Sequence, residues 1–139
     1  MKLEQQVCSL DLAKRLKELG VNQDSIYIWT TRTEPATLWS LDRYEEHFGD
    51  DIGSGYDEFP SFTVAELGEM LPESVNPKND YEYFLEIGHD SYGWYIVYRS
   101  EPDEERIMSD LGEILRDDSE ANARAKMLIY LIENNLIKI

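Results

Sequence analysis

Apolar positions recur first at helical spacing. Leu10, Ala13, Leu16 and Leu19 fall on one face, with Leu12 close by, while Lys14, Arg15, Lys17 and Glu18 fall on the other. Ser9 stands at the N-cap position and Gly20 at the stop, so a helix is predicted from about Leu10 to Leu19. The period then drops to two. In SIYIWTTR, Ile26, Ile28 and Thr30 point one way and Tyr27, Trp29 and Thr31 the other, which is the pattern of a strand. Glu34-Pro35 turns the chain, and TLWSL, Thr37 to Leu41, reads as a second, short strand. DRYEEHF has room for one helical turn or two, and GDDIGSGYDEFP reads as a Gly-rich acidic loop. Thr63 followed by Glu66 forms a capping box, and Pro72 closes a helix over Val64 to Leu71 with Val64, Leu67 and Leu71 inward.

YEYFLEIG and YGWYIVYR flank HDS, which predicts a β-hairpin. Tyr81, Tyr83, Leu85 and Ile87 share one face of its first strand, and Tyr92, Trp94, Ile96 and Tyr98 one face of its second. ERIMSDLGEIL is ambiguous between strand and short helix. Ser119 then caps a long helix over about Glu120 to Asn134, with Ala121, Ala125, Leu128, Ile129 and Ile132 as its apolar stripe and Asn135 and Leu136 beyond its end. The order α-β-β-α-β-β-α predicts an α+β fold: an antiparallel β-sheet with helices packed on one face, in two layers. The first and last helices are the natural pair to cover that sheet.

Composition sets the setting. A chain of 139 residues with 42% hydrophobic and 12% aromatic content fits one domain with a core of its own. The single cysteine, Cys8, has no partner for an internal disulfide, as expected in a reducing cytoplasm. No membrane-spanning apolar run and no leader pattern is read, so a cytosolic location in the producing cell is expected. Charge changes the picture most. The net charge is −16, and the acid is concentrated: residues 1–22 carry +1, 23–72 carry −9, 73–120 carry −10 and 121–139 carry +2. Such a field repels nucleic-acid phosphate and anionic lipid and attracts basic protein surfaces.

The charge also decides how to read SLDLAKRLKELGVNQDSIYIW, which begins like a helix-turn-helix. A DNA reader needs a second helix bearing base-contacting side chains. Only Asn22 and Gln23 follow Gly20 before the strand alternation begins. TVAELGEML fails the same test, because Pro72, Glu73 and Pro77 follow it. Both are short amphipathic helices.

No constellation in the sequence specifies catalysis, metal or cofactor binding. His47 lies near Asp42, Glu45, Glu46, Asp50 and Asp51 but without metal-ligand spacing. His89, Asp90 and Ser91 are neighbours in the predicted turn, which is turn chemistry rather than a catalytic triad. Gly53 and Gly55 occupy the oxygen-donor positions that a calcium loop starting at Asp51 would need, and the glycines lack the lysine of a phosphate cradle. Cys8 reads as a small buried hydrophobe. The aromatics are mostly core and cross-strand partners, yet a sheet with aromatics on both faces leaves some exposed. An exposed aromatic patch ringed by carboxylates suits protein binding, and the candidates are Trp39, Asp50, Asp51, Tyr56, Asp57, Glu58, Tyr92 and Trp94.

Three blocks add a resemblance. VCSLDLAKRLKELGV (Val7 to Val21), FTVAELGEMLP (Phe62 to Pro72) and EANARAKMLIYLIENNLI (Glu120 to Ile137) together cover about a third of the chain. They resemble a family of small uncharacterised proteins encoded by phages and prophages. The resemblance implies expression in a bacterial host during infection or lysogeny, and it carries no catalytic residues. The expectation is a non-enzymatic accessory protein that binds a host or phage protein with a basic surface, in its sharpest form as a nucleic-acid mimic. Two alternatives stay open. One is a small enzyme or ligand-binding protein using residues 42–58, in which Asp42, Glu45, His47, Asp51 and Asp57 converge. The other is a structural homo-oligomer using Leu131, Leu136 and Ile137 or a sheet edge.

Overall fold

Ser9 opens the first helix as its position predicts: its hydroxyl accepts a hydrogen bond from the Leu12 amide, and α1 runs Leu10–Glu18. At its far end Gly20 adopts φ +84°, and the Gly20 and Val21 amides donate to the Lys17 and Leu16 carbonyls. That is a Schellman closure, which places a left-handed residue just past the helix. The computed structural model describes residues 2–31, 39–43, 58–77, 81–101 and 109–139. Among them the elements are α1, β1 (Tyr27–Thr30), β2 (Ser40–Arg43), β3 (Glu58–Pro60), α2 (Val64–Met70), β4 (Ser74–Val75), β5 (Tyr83–Asp90), β6 (Gly93–Ser100), β7 (Leu115–Asp117) and α3 (Glu120–Glu133), after a 3-10 turn at Leu3–Gln5.

The architecture is α+β with antiparallel pairing throughout, and the elements follow roughly the expected order. Among the described residues the strands form two sheets rather than one: a three-stranded sheet in the order β2-β1-β3 and a four-stranded sheet in the order β4-β5-β6-β7. The short strands β3, β4 and β7 are additional to those read from the sequence. Ser40–Arg43 of the second strand pairs with Tyr27 to Thr30 of β1, with Trp39 just before it, and Thr37 and Leu38 of the expected span lie outside the described residues. The ambiguous segment before the last helix supplies β7 and a bridge from Asp110 to Arg99.

The hairpin keeps the predicted faces from Tyr83 to Ile87 and from Trp94 to Tyr98, but Tyr81 and Tyr92, read onto those faces, lie outside the strands and are exposed. Leu85 pairs with Tyr98, Ile87 with Ile96 and His89 with Trp94, so Tyr83, Leu85, Ile87, Trp94, Ile96 and Tyr98 share the inner side. The turn sits one step later than HDS, at Ser91-Tyr92. Asp90 accepts from the Tyr92 amide and Gly93 takes φ +107°. His89 is therefore an exposed strand residue and not a turn residue.

α3 is the centre of the core. Ala121, Ala123, Ala125, Met127, Leu128 and Leu131 are all buried, a wider face than the expected stripe. A helix buried on several sides has several neighbours, and α3 rests on β6 and β7 and against both α1 and α2. α1 packs instead on β3 and α3. The two terminal helices thus do not cover one sheet as a pair. The Asn135 and Leu136 amides close α3 on the Ile132 and Leu131 carbonyls, with Asn135 at φ +56°. Leu131 is fully buried, and Leu136 and Ile137 pack on the same core, so this tail does not stand out as a free apolar face. Each large side chain buried here contributes roughly 1.5–3 kcal/mol.

Glu66 ties the two halves together. Its carboxylate completes the capping box on the Thr63 amide at 2.8 Å. It also accepts from the Ile26 amide at 2.9 Å and the Ser25 hydroxyl at 3.0 Å. The start of β1 is thereby fastened to the start of α2.

Candidate functional site

The eight candidate residues divide between two places. Asp50, Asp51, Tyr56 and Asp57 lie outside the described residues, as do Glu45, His47 and the DRYEEHF helix beyond Arg43. Of the convergence of Asp42, Glu45, His47, Asp51 and Asp57, only Asp42 is described, in β2. Glu58 lies in β3 of the three-stranded sheet and Trp39 just before its β2, whereas Tyr92 and Trp94 belong to the hairpin of the four-stranded one.

Trp39 is half-buried. Its ring lies 5.6 Å from that of Phe59, and Lys14 of α1 sits 5.2 Å from the Trp39 ring centre. Lys17 approaches Phe59 at 4.9 Å and donates to the Glu58 carbonyl at 3.5 Å. Lysines of α1 therefore cover this aromatic pair with cation–π contacts.

Tyr92 is the most exposed large hydrophobic side chain described, at 78%. Arg116 explains its setting. The guanidinium donates twice to Asp90, at 2.9 and 2.8 Å, and lies 5.8 Å from the Tyr92 ring centre and 5.3 Å from that of Tyr95. Tyr95 lies against Gly88, where a Cβ would collide with its ring. The Arg116 hydrogen bonds, joined by the Tyr92 amide, hold the Asp90 carboxyl below its ordinary pKa. Further along the same face Arg99 pairs with Glu86 and Asp110, which raises the Arg99 pKa chiefly through Asp110. No periodicity in the chain announces this Asp90–Arg116–Tyr95 arrangement, because it depends on the register of β5, β6 and β7.

Trp94 turns the other way, toward the core, with His89 edge-on at 5.1 Å. It also forms a wall of a cleft of about 780 Å³. The other walls come from Gln5 and Gln6, the α2 start at Thr63 to Ala65, and the β7–α3 corner at Asp117 to Glu120 with Asn122. The corner is tightly wired. Asp117 pairs with Lys126 at 2.9 Å and accepts from the Ser119 amide and the Asn122 side chain. Burial pushes the Asp117 pKa up, but these partners outweigh it and the net shift is downward. Glu120 pairs with Arg124 at 2.7 Å. Both helix starts facing the cleft are capped, by Thr63 with Glu66 and by Ser119.

No family model, curated protein or solved structure matches the chain. The site must be read from its own chemistry. Among the described residues, no three His, Cys, Asp or Glu side chains are grouped to hold a metal ion. Cys8 is fully buried, and burial pushes its thiol pKa up to about 12, so it is no nucleophile at neutral pH. No helix among the described residues is long and apolar enough to cross a membrane.

Proposed function

We propose that this protein is a non-enzymatic binding module that engages a protein partner bearing a basic surface. The observation that carries this reading is how its cations are used. Arg15, Arg99, Arg116, Arg124 and Lys126 are in ion pairs within the chain, and Lys14 and Lys17 lie over aromatic rings. The net charge of −16 means that carboxylates far outnumber these cations, and the described surface also exposes aromatics such as Tyr92. Acidic fields of this kind steer basic partners and disfavour nucleic acid and anionic membranes. The resemblance to phage and prophage proteins supports a bacterial cytoplasm as the place where the partner is met.

Immobilised protein exposed to bacterial lysate at low and high salt tests the reading. A basic partner held at low salt and released at high salt is expected, because surface charge is screened within about 3 Å at 1 M ionic strength. Retention of nothing at either salt overturns it. A partner held regardless of salt excludes the nucleic-acid-mimic form.

A further inference from the structure

The cleft beside Trp94 is lined by apolar groups, Trp94, Val64 and Ala65, and by three carboxylates, Asp117, Asp118 and Glu120. An anion is a poor occupant. The helix starts that would attract it are already capped by side-chain oxygens, and the lining holds three carboxylates. Two of the three carboxylates are committed, Asp117 to Lys126 and Glu120 to Arg124. Asp118 is exposed and has no ion-pair partner among the described residues. A half-buried indole beside an unpaired carboxylate suits a long apolar stem ending in a cation. The volume of about 780 Å³ holds such a side chain together with adjoining peptide.

We propose that this cleft takes an arginine or lysine side chain of the protein partner, its stem against Trp94, Val64 and Ala65 and its cationic head at Asp118. The proposal rests on the protein-binding reading and narrows it to one anchor. The charge of the molecule brings a basic partner near, and the cleft gives it a place to dock.

The probe is a short arginine peptide, acetyl-Gly-Arg-Gly-Arg-Gly-amide, titrated into the isotopically labelled protein and followed by NMR. Its control carries citrulline, which keeps the shape of arginine without the charge. The arginine peptide is expected to shift the Trp94 indole and the Ala65 and Asp118 amide signals, and the citrulline peptide to bind several-fold more weakly. Asp118→Asn, a change at an exposed side chain, is expected to weaken the arginine peptide about fivefold. Equal binding of both peptides, no loss with Asp118→Asn, or shifts confined to residues away from the cleft overturns the anchor. The lysate experiment separates the two ideas. Salt-sensitive retention that Asp118→Asn leaves unchanged overturns the anchor while the binding reading stands. Retention of nothing removes both.

Discussion

The two sheets handle charge in different ways. On the four-stranded sheet, arginines cross from strand to strand and meet carboxylates: Arg99 with Glu86 and Asp110, Arg116 with Asp90. On the three-stranded sheet, cations come from a neighbouring helix and meet rings, Lys14 over Trp39 and Lys17 over Phe59. The difference follows from strand length. β5 and β6 run eight residues each, so they place several ordered positions side by side on one face. β1, β2 and β3 have three or four residues and rely on α1 and on Glu66 to hold them. A long hairpin can organise its own surface, whereas short strands depend on what packs over them.

The largest test of that contrast is in the core. Leu131→Ala, at the centre of the α3 packing, is expected to cost about 3–5 kcal/mol. Ile28→Ala, in β1, is expected to cost about 2–3 kcal/mol. Denaturant titration checks both, and equal losses would remove the distinction. Hydrogen exchange gives a second view. The paired amides of β5 and β6 should open only with global unfolding, and those of β1 at lower free energy.

A smaller effect is expected from Gly112→Ala. Gly112 has φ +69°, and an added Cβ would collide with the Tyr130 hydroxyl. Backbone strain and the displaced ring together should cost about 1–3 kcal/mol, read from thermal unfolding. Stability unchanged from the wild type would show that this loop is not held against α3.

The pH test concerns the β7–α3 corner. The Asp117 pKa is lowered in the folded chain, so its contribution is fully present above the unfolded value of about 3.9. It is lost as pH falls through the folded value. Asp117→Asn should therefore destabilise the protein at neutral pH, and the gap to wild type should close in acid. A constant gap across that range would show that the aspartate acts through shape rather than charge.

The smallest effects should separate the two uses of cations. Lys14→Ala removes a cation from above Trp39 and is expected to cost about 0.5–1 kcal/mol. Arg116→Gln breaks the exposed pair with Asp90, and its effect should fade as salt approaches about 1 M. Unfolding curves at two salt concentrations decide this. If both effects fade equally, the sheets do not differ in how they hold charge.

The helices were legible because local rules suffice for them. Ser9, Thr63 and Ser119 each cap as read, and Gly20 and Asn135 end their helices in left-handed conformation. The hairpin faces were legible from alternation. The short strands β3 and β7, with sequences EFP and LRD, carry too few positions to show a period. α3 looked like a helix with one face because its alanines are small, and their burial depends on how closely α2 and the sheet approach. Of the candidate site, alternation put Tyr92 on the strand face of Trp94, whereas it stands exposed in the turn just before β6. The covering of Trp39 by Lys14 was not legible, since 25 positions separate them in the chain. The cleft gave no sequence signal, because its walls come from four separate segments.

The Ser9 amide, at the head of α1, donates to the Asn122 side chain, and Arg15 holds Glu133. The first helix is thus fastened to the last one across 113 and 118 positions of chain. During synthesis, which proceeds at about 5–20 residues per second, α1 and the hairpin emerge well before the helix that seats them. Until then their apolar faces have no α3 to rest on. The strongly negative charge of the middle of the chain would keep such unfinished chains apart while they wait for their final segment.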